Sequence, residues 1–143
     1  MATIQSIYLG ELRTQARHIE SDTLIYTDAP KDNQGLGSCF SPTDLLATSL
    51  GACMLTIMAI AAKTHGFEIK LIDTKIDITK IMSADPRRVG EVNVVFSFPQ
   101  GTAFTDKEKA IIVNSTKTCP VALSLHPETI KSVIFNFEAQ PEQ

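Results

Sequence analysis

Three cysteines are the side chains in this 143-residue sequence best suited to redox or nucleophilic chemistry: Cys39, Cys53 and Cys119. Cys53 sits inside the stretch SPTDLLATSLGACMLTIMAIAAKTHG, Ser41 to Gly66, where no charged residue occurs between Asp44 and Lys63. A thiol in mid-helix gains little from the helix dipole, and apolar surroundings oppose its ionisation. Cys53 therefore reads either as a small core residue or as a nucleophile activated by a cation from elsewhere in the fold. Arg13 and Arg17 are the candidates for that cation, with Lys31 behind them. Cys119 directly precedes Pro120 at the start of a short predicted helix, where free backbone N–H groups favour a thiolate. Cys39, in a polar loop beside Ser38, reads as an incidental surface thiol.

Other chemistries find less support. The cysteines are 14 and 66 residues apart, unlike the close-spaced ligand pairs of zinc sites, and His126 adds only a lone Cys/His pair with Cys119. No metal and no cofactor are expected. Gly35-Leu36-Gly37 lacks the further glycine of a phosphate loop and precedes a helix that opens with Asp44. No serine nucleophile elbow occurs. His18, His65 and His126 have no acidic companion in sequence, and His65 reads as a cation at a helix C-terminus. The net charge of −3, with no Lys/Arg cluster, argues against nucleic acid.

These residues need elements to position them. Ser41 can cap a helix, Pro42 suits its first position, Asp44 lies three residues past the cap, and Lys63, His65 and Gly66 mark its end. A helix apolar on nearly all sides is expected to be wrapped by protein. Its uncharged run, Leu45 to Ala62, reaches only the lower edge of a membrane span and contains Thr48, Ser49, Gly51 and Thr56, so no membrane is expected. Ahead of it, Thr3–Gly10 and Arg13–Tyr26 predict a meander of short strands with a turn at Ser21-Asp22, followed by a loop from Asp28 to Phe40. After Gly66 the period becomes two. Leu71–Met82 and Glu91–Phe98 predict a hairpin around Asp85-Pro86. Thr105-Asp106-Lys107-Glu108 is a capping box, opening a helix with Ala110, Ile111 and Val113 or Asn114 inward. A short helix begins at Pro120, a last strand covers Ile130–Phe137, and AQPEQ is a tail. Strands and helices segregated in this way predict an α+β fold in a single domain, residues 1–143. The few cysteines and the absence of a signal-peptide pattern at the N-terminus point to a reducing cytoplasm.

Taken together, SPTDLLATSLGACMLTIMAIAAKTHG and TCPVALSLHPE resemble the OsmC/Ohr family, osmotically inducible protein C and the organic hydroperoxide resistance proteins. The loop TDAPKDNQGLGSCF resembles the segment that precedes the helix in that family, and the likeness runs from about Ile25 to Phe137. The resemblance implies an intertwined homodimer, with antiparallel sheets packed around long central helices and active sites at the subunit interface. It implies Cys53 as peroxidatic thiol and Cys119 as resolving thiol, an organic hydroperoxide as substrate, and a dithiol reductant as partner. In the family's peroxidase branches a Glu follows the Pro at the helix start and holds an Arg beside the reactive sulfur. Here that position is Thr43, and the acid comes one residue later, as Asp44. Asp44 is nine residues from Cys53, about 13 Å along a helix, so it would act through an arginine, for which Arg13 is the nominee. This departure leaves an alternative open: a non-enzymatic dimer of the same fold that binds an apolar ligand or senses redox state. A purely structural reading, with both thiols as packing residues, is the third.

Overall fold

A computed structural model describes residues 1–138; the tail expected at 139–143 lies outside the described residues. The chain divides into two compact units, Met1–Leu46 and Ala47–Gln143.

The first unit is an antiparallel meander, β1 (Ile4–Gly10), β2 (Arg13–His18) and β3 (Leu24–Asp28), in that order across the sheet. Glu11 and Leu12 join β1 to β2, both with positive φ (52° and 61°), the conformation that matches a tight hairpin to strand twist. The expected turn at Ser21-Asp22 links β2 to β3, where Arg17 donates to Asp22 at 2.8 Å. The loop after β3 is folded back on the strands. Asp28 N–H donates to the Phe40 carbonyl, Ala29 N–H to that of Leu12, and Gly37 N–H to that of Ala29. Gly35 is required there, because a Cβ at that position would lie 1.7 Å from the Ala29 carbonyl oxygen. Three residues of the loop, Lys31–Asn33, form a 3-10 turn.

Helix α1 spans Pro42–His65, the bounds its capping signals predict. Ser41 Oγ accepts from Asp44 N–H at 3.0 Å, and Asp44 Oδ2 accepts from Ser41 N–H at 2.9 Å. The two residues thus close a reciprocal cap. The expectation that α1 is wrapped on all sides fails within one chain. Ala47, Leu50, Gly51, Met54, Met58 and Ala62 are buried, whereas Leu46, Thr56 and Ile60 are exposed. The helix is long and apolar enough to cross a membrane. Its buried side chains nevertheless belong to the same core as the sheet of the second unit.

In that unit a 3-10 turn at Glu68–Leu71 and a positive φ at Asp73 delay the first strand. Strand β4 begins at Lys75, not at Leu71, and runs to Ala84; β5 is Arg87–Ser97, and only Asp85-Pro86, a cis peptide, separates them. Helix α2 (Asp106–Ser115) opens with the expected capping box, Thr105 and Glu108 exchanging hydrogen bonds. Its buried residue is Ile112; of the residues expected inward, Ile111 packs against the core and Val113 is half-buried, while Ala110 and Asn114 are exposed. A 3-10 turn (Thr116–Thr118) and α3 (Pro120–Ser124) follow, then β6 (Ile130–Asn136). β4 and β5 are antiparallel, but β5 and β6 are parallel, so the second sheet is mixed. The crossover through α2 and α3 is long enough to bring the chain back in the same direction. The architecture is α+β, as expected.

β5 is the spine of this unit: Val92, Val94, Phe96 and Phe98 alternate inward and are buried, with Leu50, Met58, Ile112 and Cys119 in the same cluster. Gly51 lets α1 approach the sheet, since a Cβ there would meet Ile78 Cδ1 at 2.6 Å and Ile76 Cγ2 at 3.2 Å. Gly51→Val is expected to cost about 1–3 kcal/mol through overpacking. Urea denaturation with an unchanged slope and a lowered midpoint is the check.

Candidate active site

Cys53 and Cys119 come together in the second unit. Cys53 is half-buried on α1, and Cys119 is fully buried at the junction of the Thr116–Thr118 turn with α3. The two thiols are near enough that Cys53 bears on the ionisation of Cys119. Pro120 occupies the first position of α3, where its missing N–H costs nothing, and this makes Cys119 the cap residue. Cys119 Sγ accepts from Ala122 N–H at 3.4 Å.

The expectation that this cap position yields a thiolate at Cys119 is not met. Burial pushes the Cys119 thiol above its ordinary value of 9.0, and the hydrogen bond to Cys53 and the charge of a Cys53 thiolate push it the same way. The backbone N–H groups of Ala122 and Val121 pull it down, but less. Five residues of helix offer too little dipole to offset complete desolvation. Ionisation of Cys119 is therefore opposed. A thiol whose pKa is raised in the fold adds stability that is complete below its unfolded value and is lost as pH rises through the folded one. Under reducing conditions the urea midpoint is expected to fall as pH passes above about 9, and Cys119→Ala is expected to flatten that decline.

Cys39 is half-buried rather than exposed, its thiol 3.7 Å from the Tyr26 carbonyl oxygen. No group of three or more His, Cys, Asp or Glu suited to a metal occurs among the described residues. An apolar groove of about 500 Å³ is lined by Leu55, Ala59, Glu68, Ile69, Leu71 and Ile72. At about 100° per helical residue, Leu55 and Ala59 face well away from Cys53, so this groove lies on another flank of α1.

The cations expected from the sequence separate in the first unit. Arg17 is committed to Asp22 at the β2–β3 turn, where both side chains are well exposed. Lys31 is exposed in its 3-10 turn. Arg13 differs: its Nε is buried and has no hydrogen-bond partner among the described residues. Directly opposite, in the β2–β3 register, stands Asp28. Asp28 is fully buried, and its Oδ2 accepts from both the N–H (2.9 Å) and the hydroxyl of Ser38. The Ser38 hydroxyl and N–H, with the charge of Arg13, hold its carboxyl below the usual carboxylate range against the opposing effect of burial. Its Oδ1 is buried and has no hydrogen-bond partner among the described residues. Asp44, the acid expected from the sequence, serves in the cap of α1. Sequence reasoning missed Asp28. Its partners lie ten residues on and across a strand pair, and no local spacing signals them.

No curated protein matches the sequence. A crystal structure of a protein from Psychrobacter arcticus 273-4, named for osmotic stress induction and a detoxification response, is 48% identical, with TM-score 0.88 over 95% of this chain and 96% of that one. An organic hydroperoxide resistance protein OsmC from Legionella pneumophila shares the fold at 14% identity, TM-score 0.68, over 95% of this chain and 98% of that one. The organic hydroperoxide resistance protein OhrB of Bacillus subtilis does so at 15% identity, TM-score 0.65, with the same coverages. The family profile described as OsmC-like protein matches residues 35–133, most of the chain and both thiols of the pair, and the chain belongs to that family.

Proposed function

We propose that this protein is a thiol peroxidase that reduces organic hydroperoxides. The observation that carries the reading is the nearness of a half-buried Cys53 to a fully buried Cys119 whose ionisation burial opposes. The Cys53 thiolate attacks the terminal oxygen of R–O–O–H, the O–O bond breaks, and RO⁻ leaves to take up a proton as ROH. Cys53 becomes a sulfenic acid. The Cys119 sulfur attacks the Cys53 sulfur, the S–O bond breaks, and hydroxide leaves with the Cys119 proton as water. A dithiol then reduces the Cys53–Cys119 disulfide by exchange and is itself oxidised. The family resemblance alone nominates Arg13 as the cation that activates Cys53, and slower alkylation of Cys53 in an Arg13→Met variant is the test of that nomination. Asp44 caps the start of α1.

The active unit in this reading is a homodimer. The meander leaves apolar side chains open on both faces, Ile7 and Tyr26 on one and Ile4, Tyr8 and Ile25 on the other. A three-stranded sheet needs at least one face covered, and a second copy of the chain supplies the cover. Light scattering is expected to give twice 15.6 kDa, and a monomer at all concentrations would contradict it.

The test of the reaction is consumption of an organic hydroperoxide, such as cumene hydroperoxide, with a dithiol donor. Turnover supports the reading, and its absence together with an unreactive Cys53 refutes it. The apolar groove favours a second reading, capture of a small apolar ligand without turnover. A Cys53→Ser variant that retains such a ligand while the parent protein consumes no peroxide would select it.

A further inference from the structure

We propose that the second unit carries a small-molecule site formed by the loop 101–104, Lys109 of α2 and Phe137 after β6, and that it takes an aromatic carboxylate. The site uses neither cysteine of the pair and does not depend on peroxide turnover. A cavity of about 390 Å³ opens there, with Glu138 also in its lining. That volume lies in the range of small-molecule pockets. Its aromatic wall is already set. Phe104 meets Phe137 edge to face with centroids 5.6 Å apart, and the buried Phe98 contacts both, at 5.1 Å and 4.9 Å. Phe104 and Phe137 are themselves half-buried, so each keeps surface open. Rings held this way by a third ring offer a fixed face and edge to a further ring. Two lysines stand over the pair, and they differ. Lys70 Nζ lies 5.8 Å from the Phe104 centroid but is engaged by Glu108 at 2.9 Å and by the Ala103 carbonyl at 3.1 Å. Lys109 Nζ lies 5.4 Å from the Phe137 centroid and is half-buried, and it makes no hydrogen bond or ion pair among the described residues. An ammonium carries three N–H donors, and the face of one ring leaves most of that capacity to an anion. A cation without a counter-charge beside an aromatic wall is the combination that binds a ring bearing a carboxylate. The exposed Glu138 limits the ligand to one negative charge, because a phosphate monoester would bring a second charge toward a like one.

The test is binding of 2-naphthoate to the full chain, followed by fluorescence anisotropy of the ligand, since the chain has no tryptophan to interfere. The wild-type protein is expected to bind it about tenfold more tightly than the neutral 2-naphthalenemethanol, and more tightly than 2-naphthyl phosphate. Lys109→Gln is expected to weaken 2-naphthoate about tenfold and to leave the alcohol unchanged, while Lys109→Arg keeps most of the affinity. NMR places the ligand: the amide resonances of Thr102, Ala103 and Phe104 are expected to shift in proportion to occupancy. No binding, equal binding of the alcohol, or equal affinity in Lys109→Gln would overturn the inference. So would shifts confined to Leu55, Ala59 and Ile69, which line the other groove. Tighter binding of the phosphate would overturn the choice of a carboxylate. Should a Lys109 variant not fold, the ligand series and the amide shifts of the wild-type protein decide.

Discussion

Replacing Cys53 by Ser is expected to reduce peroxide turnover with a dithiol donor by about a thousandfold or more, because a hydroxyl at neutral pH supplies almost no anion and forms no sulfenic acid. Replacing Cys119 by Ser is expected to act differently. The first equivalent of peroxide is still consumed, since the attacking sulfur is intact, but the Cys53 sulfenic acid has no neighbouring thiol to condense with. Mass spectrometry after one equivalent of hydroperoxide separates the cases. The wild-type protein is expected to lose about 2 Da as a disulfide joining the peptides of Cys53 and Cys119, and Cys119→Ser to gain about 16 Da at Cys53. A gain at Cys119 in the Cys53→Ser variant, with unchanged turnover, would invert the assignment. The structure argues against that inversion because Cys119 is the fully buried sulfur and the one whose ionisation is opposed.

Much of this arrangement is written locally. The cap at Ser41 and Asp44, the Pro42 start and the Gly66 stop fixed α1 to the residue, because capping needs only side chains within one turn. The Thr105 and Glu108 box fixed the start of α2 in the same way. Alternation placed Val92, Val94, Phe96 and Phe98 inward. The errors occur where a distant element decides. The inner face of α2 centres on Ile112 and leaves out Ala110 because the core it meets is built from α1 and β5, whose placement α2's own sequence does not encode. The parallel pairing of β6 with β5 depends on a crossover and not on either strand. At Cys119 the local rule, a thiol at a helix start, ran against burial by the whole unit, and burial prevailed. Asp28 reads in sequence as the first polar residue of a loop. Only the strand register and the returning loop make it the buried acid opposite Arg13.

The thiol pair is held by packing, which sets the second large effect. Phe96 is fully buried near the C-terminal end of β5, opposite Ile76 on one side and Phe135 on the other, and it stacks on Phe135 with centroids 5.6 Å apart. Truncating it removes a ring from a position where both neighbouring strands contribute side chains, so the cavity is not readily filled from a flank. Phe96→Ala is expected to cost about 3–5 kcal/mol, a large fraction of the roughly 5–15 kcal/mol that holds a domain of this size together. Ile134→Ala, on the exposed side of β6, is expected to change stability by less than about 0.5 kcal/mol. Leu50, Met54 and Met58 of α1 and Cys119 pack in the same cluster as Phe96, so loosening it frees the helix that carries Cys53 relative to the turn that carries Cys119. In conditions where Phe96→Ala remains folded, peroxide should still oxidise Cys53, while closure of the disulfide slows and more sulfenic acid is trapped by dimedone. Unaltered closure in a clearly destabilised variant would mean that the two sulfurs are registered by the backbone around Cys119 and Pro120 alone, and not by the core beneath them.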